Sequence, residues 1–201
     1  MKKVLVATGN KGKLSEISKL LQNIDIEAFG INDHKLCEPE EDGLTFEENA
    51  IIKAKYYGDH VGEIALADDS GLVIPAIGGN PGIHSARWAP DKDFNIAFEA
   101  IKQQLKEKNI DPGKEVVSAY FICNLSLYNP KTNEVNSFEG RVDGVLQFPP
   151  RGSNGFGYDP IFIKNASDLT FAEISAEEKE AVSHRSDAFR KLLKFLTKNN
   201  F

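Results

Sequence analysis

The sequence is poor in the residues that mark several classes of protein. It holds two cysteines, Cys37 and Cys123, which lie far apart and without metal-ligand spacing, so neither a disulfide framework nor a cysteine zinc site is expected. No apolar run approaches membrane-spanning length, and the first residues lack the pattern of a signal peptide. A formal net charge of −6 offers no bulk basic surface for nucleic acid. We therefore expect a cytoplasmic protein with a small-molecule partner, and neither nucleic acid nor membrane as partner.

Several catalytic motifs are absent as well. Residues 8–13 lack the longer glycine frame of a Walker A loop, and no stretch matches the dinucleotide-binding fingerprint. No Ser-His-Asp or Cys-His arrangement stands out, which disfavours a covalent mechanism. The composition, with 41% hydrophobic and 27% charged residues, is that of an ordinary globular protein. Since no repeat, low-complexity run or clear linker interrupts the chain, we predict a single domain over residues 1–201.

Alternating strand and helix patterns predict an α/β fold. A buried strand over residues 3–7 is followed by an amphipathic helix from Lys11 to Gln22 and a strand over 24–29. A second helix is predicted from Thr45 to about Tyr57, with Glu48 completing a capping box. Further strands are predicted at 64–67, 72–74, 116–128, 134–147 and 161–163, the two long ones as a hairpin, and further helices at 94–108, 176–181 and from 183 onwards.

Two adjacent carboxylates, Asp68 and Asp69, stand between the apolar runs 64–67 and 72–74. We interpret residues 68–71 as a turn between two buried strands, because the Ser-Gly pair that ends this stretch is typical of turns. Like charges so close raise each other's pKa, and burial acts in the same direction. A divalent cation would relieve both costs, since hard cations take oxygen ligands. The stretch is therefore either a metal site or a solvated polar turn.

Three further stretches could bind a nucleotide. Residues 8–13 place two glycines and Lys13 at a helix start, where backbone N–H groups bind phosphate, although an ordinary helix entry is the alternative. The glycine-rich loop over 149–160 carries Phe156, which could stack on a base, or is a purely structural loop. Lys179 precedes His184 and Arg185, and cations at a helix start oppose its dipole unless an anion joins them. Together these stretches indicate a polyphosphate with a flat ring, bound with Mg²⁺.

The order and spacing of the motifs then indicate a family. The motifs are Thr8-Gly9-Asn10-x-x-Lys13, Gly43-Leu44-Thr45-Phe46-Glu47-Glu48-Asn49-Ala50, Ala67-Asp68-Asp69-Ser70-Gly71-Leu72, Gly78-Gly79-x-Pro81-Gly82-Ile83-x-Ser85-Ala86-Arg87, Gly155-Phe156-Gly157-Tyr158-Asp159-Pro160 and Ser183-His184-Arg185. They span nearly the whole chain, which resembles the inosine triphosphate pyrophosphatase family, and its prokaryotic branch in particular. The family comprises house-cleaning enzymes that hydrolyse non-standard purine nucleoside triphosphates.

The resemblance implies a two-lobed α/β fold around a long mixed sheet with flanking helices, and an active site in the cleft between the lobes. It implies an Mg²⁺-dependent homodimer that converts dITP, ITP or XTP to the nucleoside monophosphate and pyrophosphate. By the same resemblance, Glu40 and Asp69 bind Mg²⁺, and Asp69 is the general base. Whether Asp68 or Glu41 shares the role of base or of metal ligand stays open. Substrate contacts are implied for Thr8, Gly9, Asn10, Lys11, Gly12, Lys13, Lys53, Ser70, Phe156, Gly157, Tyr158, Asp159, Lys179, His184 and Arg185.

Two other functions fit the same residues. A non-catalytic nucleotide-binding module would use the phosphate loop but would not need the acidic residues Glu40, Asp68 and Asp69, so their presence favours an enzyme. A related pyrophosphatase could instead prefer other modified nucleotides, and the sequence does not rank dITP, ITP and XTP.

Overall fold

The computed structural model describes residues 2–9, 11–31 and 36–199. The strands of these residues are β1 (Lys2–Ala7), β2 (Ile26–Gly30), β3 (Ala65–Val73), β4 (Ser118–Asn129), β5 (Glu134–Leu146) and β6 (Phe162–Lys164). The α-helices are α1 (Lys11–Gln22), α2 (Phe46–Val61), α3 (Phe94–Glu107), α4 (Ala176–Val182) and α5 (His184–Lys198). Within the described ranges, no helix is both long and apolar enough to cross a membrane.

The strands form one mixed sheet in the order β2-β1-β3-β4-β5-β6. β1 runs parallel to both β2 and β3, and its register with β3 pairs Leu5 with Ala65 and Ala7 with Ala67. β5 runs antiparallel to β6. β4 and β5 are hydrogen-bonded neighbours joined by residues 130–133, so the predicted hairpin is confirmed. The mixed α/β sheet with flanking helices is confirmed as well.

The chain divides into two compact units. The first unit holds Met1–Asp69, Cys123–Glu139 and Ala188–Phe201, and the second holds Ser70–Ile122 and Gly140–Asp187. Two apolar clusters fill the first unit, one around Ile17 and Phe189 and one around Tyr57 and Tyr128. One larger cluster around Ile101 and Phe162 fills the second. The single domain over residues 1–201, and the active-site cleft between its lobes, stay predictions.

The acidic stretch differs from its predicted form. Residues 65–73 are one continuous strand, so the strand-turn-strand prediction for 64–74 is wrong. Asp68 and Asp69 are both buried within β3, with 2% and 7% of their surface exposed. Neither carboxylate needs a solvent-exposed turn, because each has a lysine ammonium beside it. Successive side chains of a strand point to opposite faces, so the two aspartates face opposite sides of the sheet.

The helix starts follow the local sequence closely. α1 has the predicted bounds. Thr45 caps α2, since its Oγ1 accepts a hydrogen bond from the Glu48 N–H at 3.1 Å. The predicted capping box is incomplete, because Glu48 Oε2 accepts from the Leu44 N–H instead, at 2.6 Å. α2 also runs a turn beyond the predicted Tyr57, to a left-handed Gly62 with φ 75°, a conformation that suits glycine.

Candidate active site

The first unit contains a cluster of three carboxylates and two lysines. The Nζ of Lys13, a residue of α1, lies 2.7 Å from Asp68 Oδ2. Lys53 from α2 lies with its Nζ 3.3 Å from Asp69 Oδ1 and 3.1 Å from Glu41 Oε1. We call these five residues the carboxylate cluster. The sequence placed its members in four separate stretches, and the fold brings them together around β3.

Burial and neighbouring charges set the protonation of this cluster. Burial raises the pKa of Asp69 above its usual range, Glu41 and Asp68 raise it further, and the ammonium groups of Lys53 and Lys13 oppose the shift. Burial by itself lowers the pKa of Lys53, but the three carboxylates outweigh it, so the net shift is upward. Lys53 therefore stays a cation while Asp69 binds a proton more readily than an ordinary aspartate. A perturbed carboxylate with a specific charge partner is typical of a catalytic site.

The loop before α2 approaches the cluster through Glu41 rather than Glu40. Glu41 is half-buried and shares Lys53 with Asp69, whereas Glu40 is exposed. The metal role of Glu40 therefore stays a prediction, and Glu41 is the neighbouring carboxylate that shares a cation with Asp69.

The donor set of the cluster fits Mg²⁺. Its carboxylate oxygens are hard ligands, and a cation, the Lys53 ammonium, already bridges Asp69 and Glu41. Among the described residues, no group of three or more His, Cys, Asp or Glu side chains is arranged around one point. A site with fewer than three such side chains is compatible with Mg²⁺, which is commonly held by one or two carboxylates together with substrate phosphates and water.

The predicted phosphate loop lies beside the same cluster. Thr8 and Gly9 follow β1, and Gly12 and Lys13 lie in the first turn of α1. The carboxylate of Glu38, in the acidic loop, lies close to Gly9, since a Cβ built at Gly9 would be 2.5 Å from Glu38 Oε1. Asn10 and the side chain of Lys11 lie outside the part of the chain that the structure describes.

The second unit brings together the other predicted substrate contacts. Lys179 Nζ lies 2.5 Å from Asp159 Oδ2, and the same oxygen accepts a hydrogen bond from the Phe156 N–H at 2.9 Å. Phe156 is 41% exposed in spite of its apolar character. Two cations face it, with Lys179 Nζ 4.5 Å and the Arg185 guanidinium carbon 5.9 Å from the ring centroid. We call Phe156, Asp159, Lys179, His184 and Arg185 the aromatic–cation cluster.

The buried start of α5 completes this cluster. Ser183 caps the helix, because its Oγ accepts a hydrogen bond from the Ser186 N–H at 3.2 Å. His184 and Arg185 are both buried in the first helical turn. Burial raises the pKa of Asp159, while the nearby ammonium of Lys179 opposes that shift. The cluster thus combines buried positive charge with one exposed aromatic face.

Two residues of the second unit were missed by the sequence reasoning. The Phe121 ring stacks on His184, with centroids 4.9 Å apart and an interplanar angle of 14°. Ser85 connects β3 to the loop of the aromatic–cation cluster, since its Oγ accepts from the Leu72 N–H at 3.0 Å and its carbonyl accepts from the Tyr158 hydroxyl at 2.8 Å. The apolar pattern of β4 could mark Phe121 as buried, but no sequence signal indicates its contact with His184.

The carboxylates of the first unit suit a metal ion with phosphate oxygens, and the exposed aromatic residue of the second suits a flat ring, which together are features of a nucleotide-binding enzyme. The comparison with known proteins is more specific: the chain belongs to the Ham1 family, whose model matches residues 4–195.

Relatives and solved structures agree with this assignment over nearly the whole chain. A dITP/XTP pyrophosphatase from Zymomonas mobilis is 46% identical, over 95% of this chain and 90% of that protein. One from Bacillus subtilis is 42% identical, over 98% of both chains. The structure of a HAM1 protein from Coxiella burnetii superposes with a TM-score of 0.89 at 36% identity, covering 98% of this chain and 100% of that one.

Proposed function

We propose that this protein hydrolyses non-standard purine nucleoside triphosphates (dITP, ITP and XTP) to the nucleoside monophosphate and pyrophosphate. The observation that carries the proposal is the carboxylate cluster, in which a buried Asp69 of raised pKa shares the Lys53 ammonium with Glu41. The names of the relatives, dITP/XTP pyrophosphatases at 42–46% identity, support the choice of substrate.

The carboxylate cluster provides the chemistry on the phosphate side. Asp69, together with Glu40 or Glu41, would hold Mg²⁺. When bound, this ion would neutralise charge on the phosphates and make a water molecule more acidic. Asp69 accepts the proton of the water whose oxygen attacks the α-phosphorus. As the new P–O bond forms, the bond from the α-phosphorus to the bridging oxygen breaks and pyrophosphate leaves. The Lys13–Asp68 contact at 2.7 Å supports a supporting part for Asp68, and the raised pKa of Asp69 supports its assignment as the base.

Positive charge stabilises the leaving group. Lys13 and Lys53 contribute from the first unit, together with the backbone N–H groups at the start of α1. Fixed cations of this kind favour the transition state when charge moves onto the departing pyrophosphate.

The aromatic–cation cluster provides recognition of the base. Phe156 presents an exposed face on which a purine can stack. Lys179 and Arg185 are hydrogen-bond donors beside that face, and donors match a 6-keto oxygen rather than a 6-amino group. An adenine presents a 6-amino group that cannot accept from these donors, so purines with a 6-keto oxygen, hypoxanthine and xanthine among them, are favoured over adenine.

A panel of nucleoside triphosphates tests this function. The purified protein is incubated with Mg²⁺ and dITP, ITP, XTP, dATP or dGTP, and the product is identified as pyrophosphate or orthophosphate. We expect pyrophosphate from the first three and little from dATP. No pyrophosphate from any of the first three would refute the proposal, and orthophosphate as the product would refute the position of cleavage. The homodimer and the cytoplasmic location belong to the same proposal, and light scattering of the purified protein tests the dimer.

A further inference from the structure

A buried asparagine contacts the catalytic carboxylate directly. Asn49 lies in the first turn of α2 with 1% of its surface exposed. Its Oδ1 accepts a hydrogen bond from the Gly43 N–H at 2.9 Å, and its Nδ2 donates to Asp69 Oδ2 at 3.4 Å. One side chain thus connects the end of the acidic loop to β3. Neither the predicted substrate contacts nor the predicted metal ligands include it.

The hydrogen-bond partners determine which way the amide of Asn49 points. A backbone N–H can only donate, so the carbonyl oxygen of Asn49 must face Gly43 and the NH₂ group must face Asp69. Asp69 then accepts from a donor on each oxygen, from Lys53 on Oδ1 at 3.3 Å and from Asn49 on Oδ2. Asn49 and Lys53 are four residues apart and therefore lie on the same face of α2. This pair of donors sets the plane of the Asp69 carboxylate.

The approach of the acidic loop to α2 depends on a glycine. A Cβ at Gly43 would lie 2.6 Å from Asn49 Oδ1 and 2.7 Å from Glu48 Cβ, closer than van der Waals contact allows. The next residue adds a second hydrogen bond between the loop and α2, since the Leu44 N–H donates to Glu48 Oε2 at 2.6 Å. The end of the loop that carries Glu40 and Glu41 is therefore held against the first turn of α2.

We propose that Asn49 is a positioning residue for the hydrolysis reaction. It orients the Asp69 carboxylate and, through Gly43, holds the end of the acidic loop at the same point of α2. The carboxylates of the loop and of β3 are thereby kept at a defined separation. This inference rests on the proposed function, because it assigns Asn49 to the carboxylate that acts as base and metal ligand.

Asn49→Ala tests the role against a matched control. Loss of a hydrogen bond to a charged group, or of a residue that orients a metal ligand, corresponds to a change of about 10- to 100-fold. We therefore expect kcat for dITP to fall by about that factor while KM changes less than about threefold. Thr45→Ala is the control, because it removes the N-cap of the same helix without touching Asp69. We expect Thr45→Ala to lower the Tm but to keep kcat within about twofold.

Metal binding without nucleotide supplies a second readout. Mn²⁺ titrated into the wild-type protein and the variants, and followed by electron paramagnetic resonance, reports the affinity of the site. We expect Asn49→Ala to weaken Mn²⁺ binding by about tenfold and Thr45→Ala to leave it unchanged.

A double-mutant cycle distinguishes positioning from a general loss of stability. Gly43→Ala displaces the loop while leaving Asn49 in place, so it should lower kcat in the same direction. Because both substitutions disrupt one connection, the double variant should lose no more than the more severe single variant. Fully additive losses would overturn the proposal, and so would an Asn49→Ala variant with kcat within about twofold of wild type.

The failure of this inference can be distinguished from failure of the proposed function. If the wild-type protein releases no pyrophosphate from dITP, ITP or XTP, the function is wrong, and the Mn²⁺ titration still compares Asn49→Ala with Thr45→Ala. If the wild-type protein is active and Thr45→Ala loses as much kcat as Asn49→Ala, only the role of Asn49 is wrong. An Asn49→Ala variant that binds Mn²⁺ as tightly as the wild-type protein would overturn the role as well, because the connection would then orient no metal ligand.

Discussion

Lys53 is the residue whose replacement should most clearly show how the carboxylate cluster is held together. Its Nζ lies 3.3 Å from Asp69 Oδ1, and both side chains are largely buried. Lys53→Met keeps the length of the side chain and removes its charge. Breaking a buried pair by removing one partner costs about 3–5 kcal/mol, because the other charge stays buried without compensation. We expect a loss of this size in the free energy of unfolding at pH 8 without metal.

The pH dependence of that loss follows from the pKa of Asp69. Burial already raises this pKa, and the ammonium of Lys53 opposes the shift. Without Lys53 the pKa in the folded state rises further above the unfolded value. A carboxyl with a raised folded pKa loses stability as pH rises through the interval between the unfolded and folded values, and regains it when protonated. The deficit of Lys53→Met should therefore be smaller at pH 5 than at pH 8.

Mg²⁺ should replace part of the missing charge. Urea unfolding at both pH values, followed by Trp88 fluorescence with Mg²⁺ or with a chelator, measures the effect. We expect saturating Mg²⁺ to stabilise Lys53→Met more than wild type. Lys55→Met, an exposed lysine of the same helix, is the control and should stay within about 0.5 kcal/mol of wild type. Equal stability of the two variants at pH 8, or a larger Mg²⁺ effect on wild type, would refute this account.

Three further substitutions test other parts of the site. Asp69→Asn should abolish pyrophosphate release while calorimetry still detects nucleotide binding; near-normal rates would show that another group is the base. Phe156→Ala should raise KM for dITP about tenfold or more through lost base stacking, with unchanged stability because the residue is 41% exposed. Ser85→Ala leaves the buried Leu72 N–H without its acceptor and should cost about 1–3 kcal/mol in urea unfolding; no measurable loss would contradict the hydrogen bond described.

The helix bounds and helix starts that depend on neighbouring residues were predictable from the sequence. The bounds of α1 and the start of α2 at Thr45 depend on contacts within a few residues, and the structure reproduces them. The turn predicted at residues 68–71 was wrong because the side chains that contact the two aspartates lie far away in the sequence. Local reasoning places two charges and a Ser-Gly pair in a turn, whereas in the structure the strand continues and the two charges pair with lysines from α1 and α2.

The sequence by itself determined the α/β class, the local helix starts and the set of motifs that resembles a nucleotide pyrophosphatase family, because these depend on periodicity, capping chemistry and residue identity. The tertiary structure decided which charges meet. It paired Asp68 with Lys13 and placed Lys53 between Asp69 and Glu41, and it stacked His184 on Phe121. It also showed Asn49 holding both Asp69 and Gly43. Such contacts join residues far apart in the chain, and the protonation of a buried carboxylate depends on burial and on charges within a few ångströms, so both follow only from the packed fold.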